Sequence, residues 1–374
     1  MRLADKYTLE RGGVYLTGIQ ALVRLPLDQM RRDRRAGLNT GAFISGYEGS
    51  PLGGYDLALA RAGSLLERHN IVFRPGLNED LAATAIMGSQ IFEVAGNPKA
   101  DGVVGIWYGK GPGVDRCGDV LRHANMAGTG KNCAALLLAG DDHGCKSSTI
   151  PHQSDFTFFN TGIPFLYPGN AQEILDYGLL AIALSRFSGA WAGLKLVTDI
   201  CDGGGTVSID PERPVIKIPE NYQKYVDPRL VPPVTLALEQ EVNLRRLKAA
   251  VDFARLNGIN RWHGAADAWL GIASAGKSYY DLAQALRDLG IGENELNDLG
   301  LRIAKFGMTF PLDAQFAREF ASGLAAILVI EEKRGFLELH LRDALYSRPS
   351  RPIVMGKTDA DGAPLFPASG ELDP

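Results

Sequence analysis

The sequence predicts an α/β protein, a doubly wound parallel sheet followed by a second, smaller α/β domain. Three observations carry this. Short apolar runs alternate with segments of helical period, as in an open sheet with right-handed crossovers. Several runs, among them "VVGIWY" and "AALLLAG", are apolar along their whole length, which suits strands covered on both faces. A proline-rich stretch with neither period then separates this series from a second one.

In the first series, strands are expected at 42–47, 71–74, 103–108, 134–140, 164–167 and 195–199, with helices at 18–35, 55–68, 81–94 and 170–187. After 199 the pattern breaks. Pro211, Pro214, Pro219, Pro228, Pro232 and Pro233 read as an ordered, extended linker. The second series has helices at 235–257, 278–289, 313–320 and 336–345 and strands at 268–275, 301–306 and 325–331. The expected boundaries are 1–210 for the first domain, 211–233 for the linker and 234–360 for the second domain. The polar tail 361–374, rich in Pro and Gly, reads as a linker cut short.

At 374 residues the chain is long enough for two cores. With 45% hydrophobic and 22% charged residues it has the composition of a globular protein. A net charge of -4 argues against a nucleic-acid partner. The start has no uninterrupted apolar core of a signal peptide, and no apolar run approaches a membrane span. A cytoplasmic location and no membrane partner are expected. Cys117, Cys133, Cys145 and Cys201 are scattered without a C-x-x-C pair and fit neither a zinc ribbon nor an iron–sulfur loop.

Ligands of open α/β sheets bind at the carboxyl ends of strands. Four loops there are rich in Gly and polar residues: "SGYEGSPLGGYD" (45–56), the segment holding Gly76, Asn78 and Glu79, "WYGKGPGVDRCGD" (107–119) and "AGDDHGCKSSTIPHQSD" (139–155). Four in succession predict a cleft. None has the G-x-G-x-x-G or Walker spacing. Asn78 can cap the helix that follows, so Glu79 is either a dipole partner or a carboxylate aimed at a ligand. Lys110, flanked by glycines, is a solvated lysine or a receptor for an anionic substrate group. Asp141, Asp142 and His143 offer a metal or acid–base site, or, more commonly for such loops, carboxylates that cap the turn. His123 and His152 read as structural side chains. Gly203, Gly204 and Gly205 read as a turn, because no helix follows to complete an anion site. Glu331 and Glu332, at a strand end, bind a ligand or, more commonly, cap the next helix. No metal site is expected.

At these residues the chain resembles a family. The stretches "DKYTLERGGVYLTGIQALVRLPLDQMRRDRRAGLNTGAFISGYEGSPLGGYD", "GLNEDLAATAIMGSQ", "WYGKGPGVDRCGDVLRHANMAGT", "GDDHGCKSSTIPHQSD" and "AKFGMTFPLD" are similar to the N-terminal part of the thiamine diphosphate-dependent 2-oxoacid:ferredoxin oxidoreductases, of the long fused indolepyruvate type. The resemblance implies a pyrimidine-binding domain followed by one like the C-terminal domain of transketolase. It implies that Glu79 hydrogen-bonds the aminopyrimidine ring and promotes loss of the thiazolium C2 proton. Cofactor contacts are then expected at Gly46, Tyr47, Ser50, Pro51, Asn78 and Glu79, and substrate contacts at Ser50, Lys110 and His143. Gly140, Asp141 and Asp142 with Asn170 loosely match the family's diphosphate pattern but fall in the wrong domain, and the match is read as accidental.

The implied activity is oxidative decarboxylation of an aryl or branched 2-oxoacid to an acyl-CoA, with electrons passing to ferredoxin. Implied partners are the 2-oxoacid, coenzyme A, ferredoxin, a diphosphate-binding domain or subunit, and further copies of the chain in a homo-oligomer. Magnesium and an iron–sulfur cluster belong to absent regions or partner chains. The alternatives are a non-catalytic pyrimidine-domain subunit and a non-oxidative thiamine diphosphate decarboxylase.

Overall fold

A computed structural model describes residues 4–91, 94, 96 and 98–374. Its first strands are β1 (Gly12–Thr17), β2 (Gly41–Gly46), β3 (Ile71–Phe73), β4 (Val103–Lys110), β5 (Ala134–Asp141), β6 (Phe165–Leu166), β7 (Ala192–Val197) and β8 (Gly204–Ile209). The second half adds β9 (Arg261–Gly264), β10 (Leu270–Ser274), β11 (Leu301–Lys305), β12 (Met308–Phe310), β13 (Ala326–Ile330) and β14 (Ile353–Met355).

The larger sheet has the order β3-β2-β4-β5-β7-β6-β12, parallel throughout except for β12. Period-two alternation divides β4 between two cores. Val104, Ile106 and Tyr108 face helices Gly18–Arg35 and Ala171–Ser188, while Trp107 faces helix Glu79–Gln90 with Ala82, Ala83 and Ile86. Helices thus cover both faces, and the fully apolar strands are explained. The smaller sheet has the order β14-β13-β10-β11-β9, parallel except for β9. Its two cores, around Ile327 and Val329 and around Ile272 and Ile303, again lie on opposite faces.

The chain is therefore mixed α/β with parallel sheets, as expected, but several elements differ. Helix Gly18–Arg35 starts and stops where expected, and a capping box of Thr17 and Gln20 fixes its start. The expected helix 55–68 is broken at Ala62 into Tyr55–Arg61 and Gly63–Arg68. The helix expected over 81–94 spans Glu79–Gln90, and positions 92 and 93 of that expectation lie outside the described residues. The strand expected at 195–199 is Ala192–Val197, and Thr198–Asp202 is helical.

Gly204 and Gly205 do not form a turn. They begin β8, which pairs antiparallel with β1. A Cβ on Gly204 would lie 2.8 Å from the Tyr15 hydroxyl, so the glycine admits the neighbouring strand. Helix 235–257 is continuous but carries a π-helical segment, Glu241–Arg246. Residues 210–233 contain no helix or strand. They lie along the first core, where the Tyr222 hydroxyl donates to the Ser188 carbonyl and to Glu241.

The tail folds back instead of trailing as a linker. The Leu372 N–H donates to Glu332 (3.1 Å), Lys277 donates to the Leu372 carbonyl (2.5 Å), and Glu371 pairs with Lys146 (3.1 Å). Backbone groups and the carboxylates of Glu371 and Asp373 hold it, which a polar composition does not reveal. No helix among the described residues is long and apolar enough to cross a membrane.

Candidate active site

The strand order reverses between β2 and β4. From β2 the chain crosses to β3 over one face, then returns past β2 to β4 through helix Glu79–Gln90 on the other. Ligands of open α/β sheets bind in the crevice outside the carboxyl ends of the strands at such a reversal. Gly46 ends β2 in close contact, since a Cβ on it would lie 2.1 Å from the Tyr108 carbonyl. Its own carbonyl accepts from the Gly76 N–H at 2.8 Å, which ties the segment before Glu79 to this strand end.

Glu79 is the first residue of its helix. Asn78 is the cap, its side chain accepting from the Leu81 N–H at 2.9 Å. The carboxylate of Glu79 is thus not needed as a cap. It is 7% exposed, and no hydrogen bond from the described residues reaches it. Its nearest cation is the half-exposed Arg116, at 3.9 Å, and Arg116 is engaged by Asp80 at 2.5 Å. The Trp107 indole donates to the Glu79 carbonyl at 3.1 Å and fixes the backbone. On the other side sits the short helix Gly111–Arg116, where a Cβ on Gly113 would fall 2.6 Å from the Glu79 Cγ. A buried carboxylate with no hydrogen-bond donor is poised for a ligand's donor.

The other predicted positions are placed as follows. Lys110 is the last residue of β4, two residues beyond the expected end, and its stem lies on Gly49. No carboxylate pairs with it among the described residues. Tyr47 is 41% exposed. Ser50 reaches Asp142 at 3.5 Å, and Pro51 packs on Gly140. Gly46 is thus tied to the segment before Glu79 and Lys110 packs on Gly49, whereas Ser50 and Pro51 reach across to Asp142 and Gly140 at the end of β5. His143 stands apart, buried between Glu332 (Nδ1 to carboxylate, 2.7 Å) and Asp141 (Nε2 to carboxylate, 4.0 Å). Asp142 accepts three backbone N–H groups of its own loop, from Lys146, Ser147 and Ser148. Glu331 accepts those of Phe336, Leu337 and Glu338. Both act as turn or helix caps. Asn170 caps helix Ala171–Ser188.

Sequence reasoning did not find the charge network behind the crevice. Buried Asp141 accepts from Ser154 and lies 3.3 Å from His152, which also meets Asp115 at 2.7 Å. Burial alone would raise the Asp141 carboxyl, but His152, Lys195 and His143 outweigh it and hold it well below the usual range. Burial likewise opposes the charge on His152, yet Asp115 and Asp141 raise it to about 9. Gly111 makes this possible, since a Cβ there would lie 2.0 Å from the ring. The glycines of "GKGPG" thus admit Glu79 on one side and His152 on the other.

The linkage sign for His152 is fixed. Its folded value lies above the ordinary 6.5, so its stabilisation is full below pH 6.5 and is lost as pH rises through about 9. The melting temperature should therefore fall between pH 7 and pH 10, and less steeply in His152→Gln. Parallel melting profiles for the two proteins would remove His152 from the network.

Residues 260–374 match the indolepyruvate oxidoreductase domain family. Over 379 aligned residues the chain is 26% identical to indolepyruvate oxidoreductase subunit IorA of Methanothermobacter marburgensis, covering all of this chain and 55% of that protein. It is 25% identical to the corresponding subunit of Methanothermobacter thermautotrophicus, covering 96% and 53%. The chain thus spans about half the length of the curated relatives it matches. Among solved structures, a 2-oxoglutarate:ferredoxin oxidoreductase from Magnetococcus marinus shares the fold with a TM-score of 0.67 at 14% identity, over 95% of this chain and 64% of that one. Transketolase from Leishmania mexicana does so with a TM-score of 0.51 at 12% identity, over 87% and 40%. The resemblance read from the sequence stands: along its whole length the chain is similar to part of the indolepyruvate oxidoreductase subunits, on the fold of a 2-oxoacid:ferredoxin oxidoreductase.

Proposed function

We propose that this chain is the aminopyrimidine-binding part of a thiamine diphosphate-dependent 2-oxoacid:ferredoxin oxidoreductase of the indolepyruvate type. The complete enzyme converts an aryl or branched 2-oxoacid and coenzyme A to an acyl-CoA and carbon dioxide, passing two electrons to ferredoxin. Residues 1–210 are assigned to the pyrimidine side of the cofactor, 211–233 to a linker and 234–360 to a unit like the C-terminal domain of transketolase.

The observation that carries the reading is the buried, unbonded carboxylate of Glu79 at a strand-end crevice. The residues present fit one half of the cofactor. Glu79 supplies a carboxyl group for a ring nitrogen, and Gly113 lets the chain pack directly on that side chain. When bound, the cofactor supplies a carbon nucleophile and an electron sink. This chain's share is to orient the ring and to exchange a proton at Glu79. Lys110, uncompensated at the end of β4, suits the carboxylate of the 2-oxoacid, with Ser50 beside it. The crevice is one-sided. Tyr47 and Leu81 are half-exposed and Leu77 is 87% exposed around Glu79, which suits cover by a diphosphate-binding domain or subunit. Magnesium, diphosphate and the iron–sulfur cluster are assigned to that part or to partner chains.

Titration calorimetry tests the division. Residues 1–374 alone should bind thiamine diphosphate with magnesium weakly or not at all. The complete protein should bind it stoichiometrically and reduce a low-potential dye only when a 2-oxoacid and coenzyme A are both present. Tight binding by residues 1–374 would sink the half-site reading, and dye-independent decarboxylation would assign a non-oxidative enzyme.

A further inference from the structure

The loop between β13 and helix Leu337–Tyr346 carries two cations that the crevice does not use. Lys333 is 6% exposed and has φ +60°, a left-handed backbone that a long side chain rarely adopts. Its ammonium donates to the His143 carbonyl. Neither it nor Arg334 forms an ion pair among the described residues. Arg334 is exposed, with its guanidinium 4.2 Å from the ring centre of Phe156, and its backbone is held by Gln153. A buried ammonium with no counter-charge is costly unless an anion comes to it.

Both side chains line a cavity of about 660 Å3, together with His143, Cys145, His152 and Phe156, and the tail residues Ala368–Gly370 close one wall. That volume lies within the roughly 300–1,000 Å3 of small-molecule pockets. His152 also lines the cavity, its charge already matched by Asp115 and Asp141. Asp115 is the one carboxylate on the lining, and it is already engaged by His152 and Thr157. The tail is held in place through Glu371 and Leu372, so the wall is built and not incidental.

We propose that this cavity receives the anionic group of a small organic ligand, a carboxylate or a phosphate, on Lys333 and Arg334. It lies across the short helix Gly111–Arg116 from Glu79 and does not rest on the reading of Glu79.

Cys145 supplies the readout. It lines the cavity and is partly accessible, whereas Cys117, Cys133 and Cys201 are buried. At constant ionic strength, inorganic pyrophosphate or phenylpyruvate should slow alkylation of Cys145 by N-ethylmaleimide in a saturable way. In Arg334→Gln, an exposed position that leaves the fold alone, the half-protecting concentration should rise by about tenfold or more, the scale of one lost charge-assisted hydrogen bond. Lys333→Met should do the same. Protection by pyrophosphate alone identifies a phosphate ligand, by phenylpyruvate alone a carboxylate, and by both a site read by charge. Absence of saturable protection by either anion, or protection unchanged in Arg334→Gln, overturns the proposal.

Discussion

Glu79→Gln should cut turnover of the complete enzyme by about two orders of magnitude or more, the usual scale for a lost acid–base group. The fold should survive. Asn78 already caps the helix, so no cap is lost, and glutamine fits the same space against Gly113. The change removes one acidic charge from the first turn of a helix, a loss of up to about 1 kcal/mol. Glutamine can still hydrogen-bond a ring nitrogen but cannot trade a proton with it. Exchange of the cofactor's C2 proton should slow, while the melting temperature stays within a few degrees. Wild-type exchange in a less stable variant would reduce Glu79 to a helix-end carboxylate.

Lys305→Met should destabilise the protein by about 3 kcal/mol or more, the cost of stranding one member of a buried ion pair. Lys305 ends β11 with no exposed surface and pairs with Glu173 of helix Ala171–Ser188. Burial pushes its ammonium down to about 8, against the opposing pull of Glu173. The ammonium lies 4.2 Å from the ring centre of Tyr280 and 4.8 Å from that of Tyr279. Methionine fills the volume but leaves Glu173 buried, with only the Gly169 N–H and the Tyr280 hydroxyl as donors. Adding Glu173→Gln should recover much of the loss, because the stranded charge is then gone. Urea unfolding of the two single variants and the double variant gives the coupling. Additive losses would show that the pair does not join the two sheets.

The parts of the fold that depend on local pattern were legible. Helix Gly18–Arg35 lies between a capping residue and the end of an apolar period, and both signals are in the sequence. Strands β4 and β5 are apolar runs, and only their ends were misplaced, because Gly109 and Lys110 of β4 and Asp141 of β5 continue the ladders without apolar side chains. Pairings between distant segments were not legible. β1 and β8 are short and glycine-rich, and neither is a strand until it meets the other. That Asn78 and not Glu79 caps the helix was legible, while a ligand role for Glu79 was implied only by the resemblance. The place of His143 was not legible, since the residue that fixes its ring, Glu332, belongs to the other half of the chain. Lys333 gave no signal, because its left-handed backbone and its missing counter-charge exist only in the folded chain.

Strand β12 belongs by sequence to the second half of the chain but pairs with β6 at the rim of the larger sheet. The two halves are therefore not beads on a string. A protein divided in the linker at 211–233 would leave β6 with an unpaired row of backbone donors and acceptors, a template for stacking with another molecule. With Met308 and Phe310 the second half thus covers an edge that the first half leaves open.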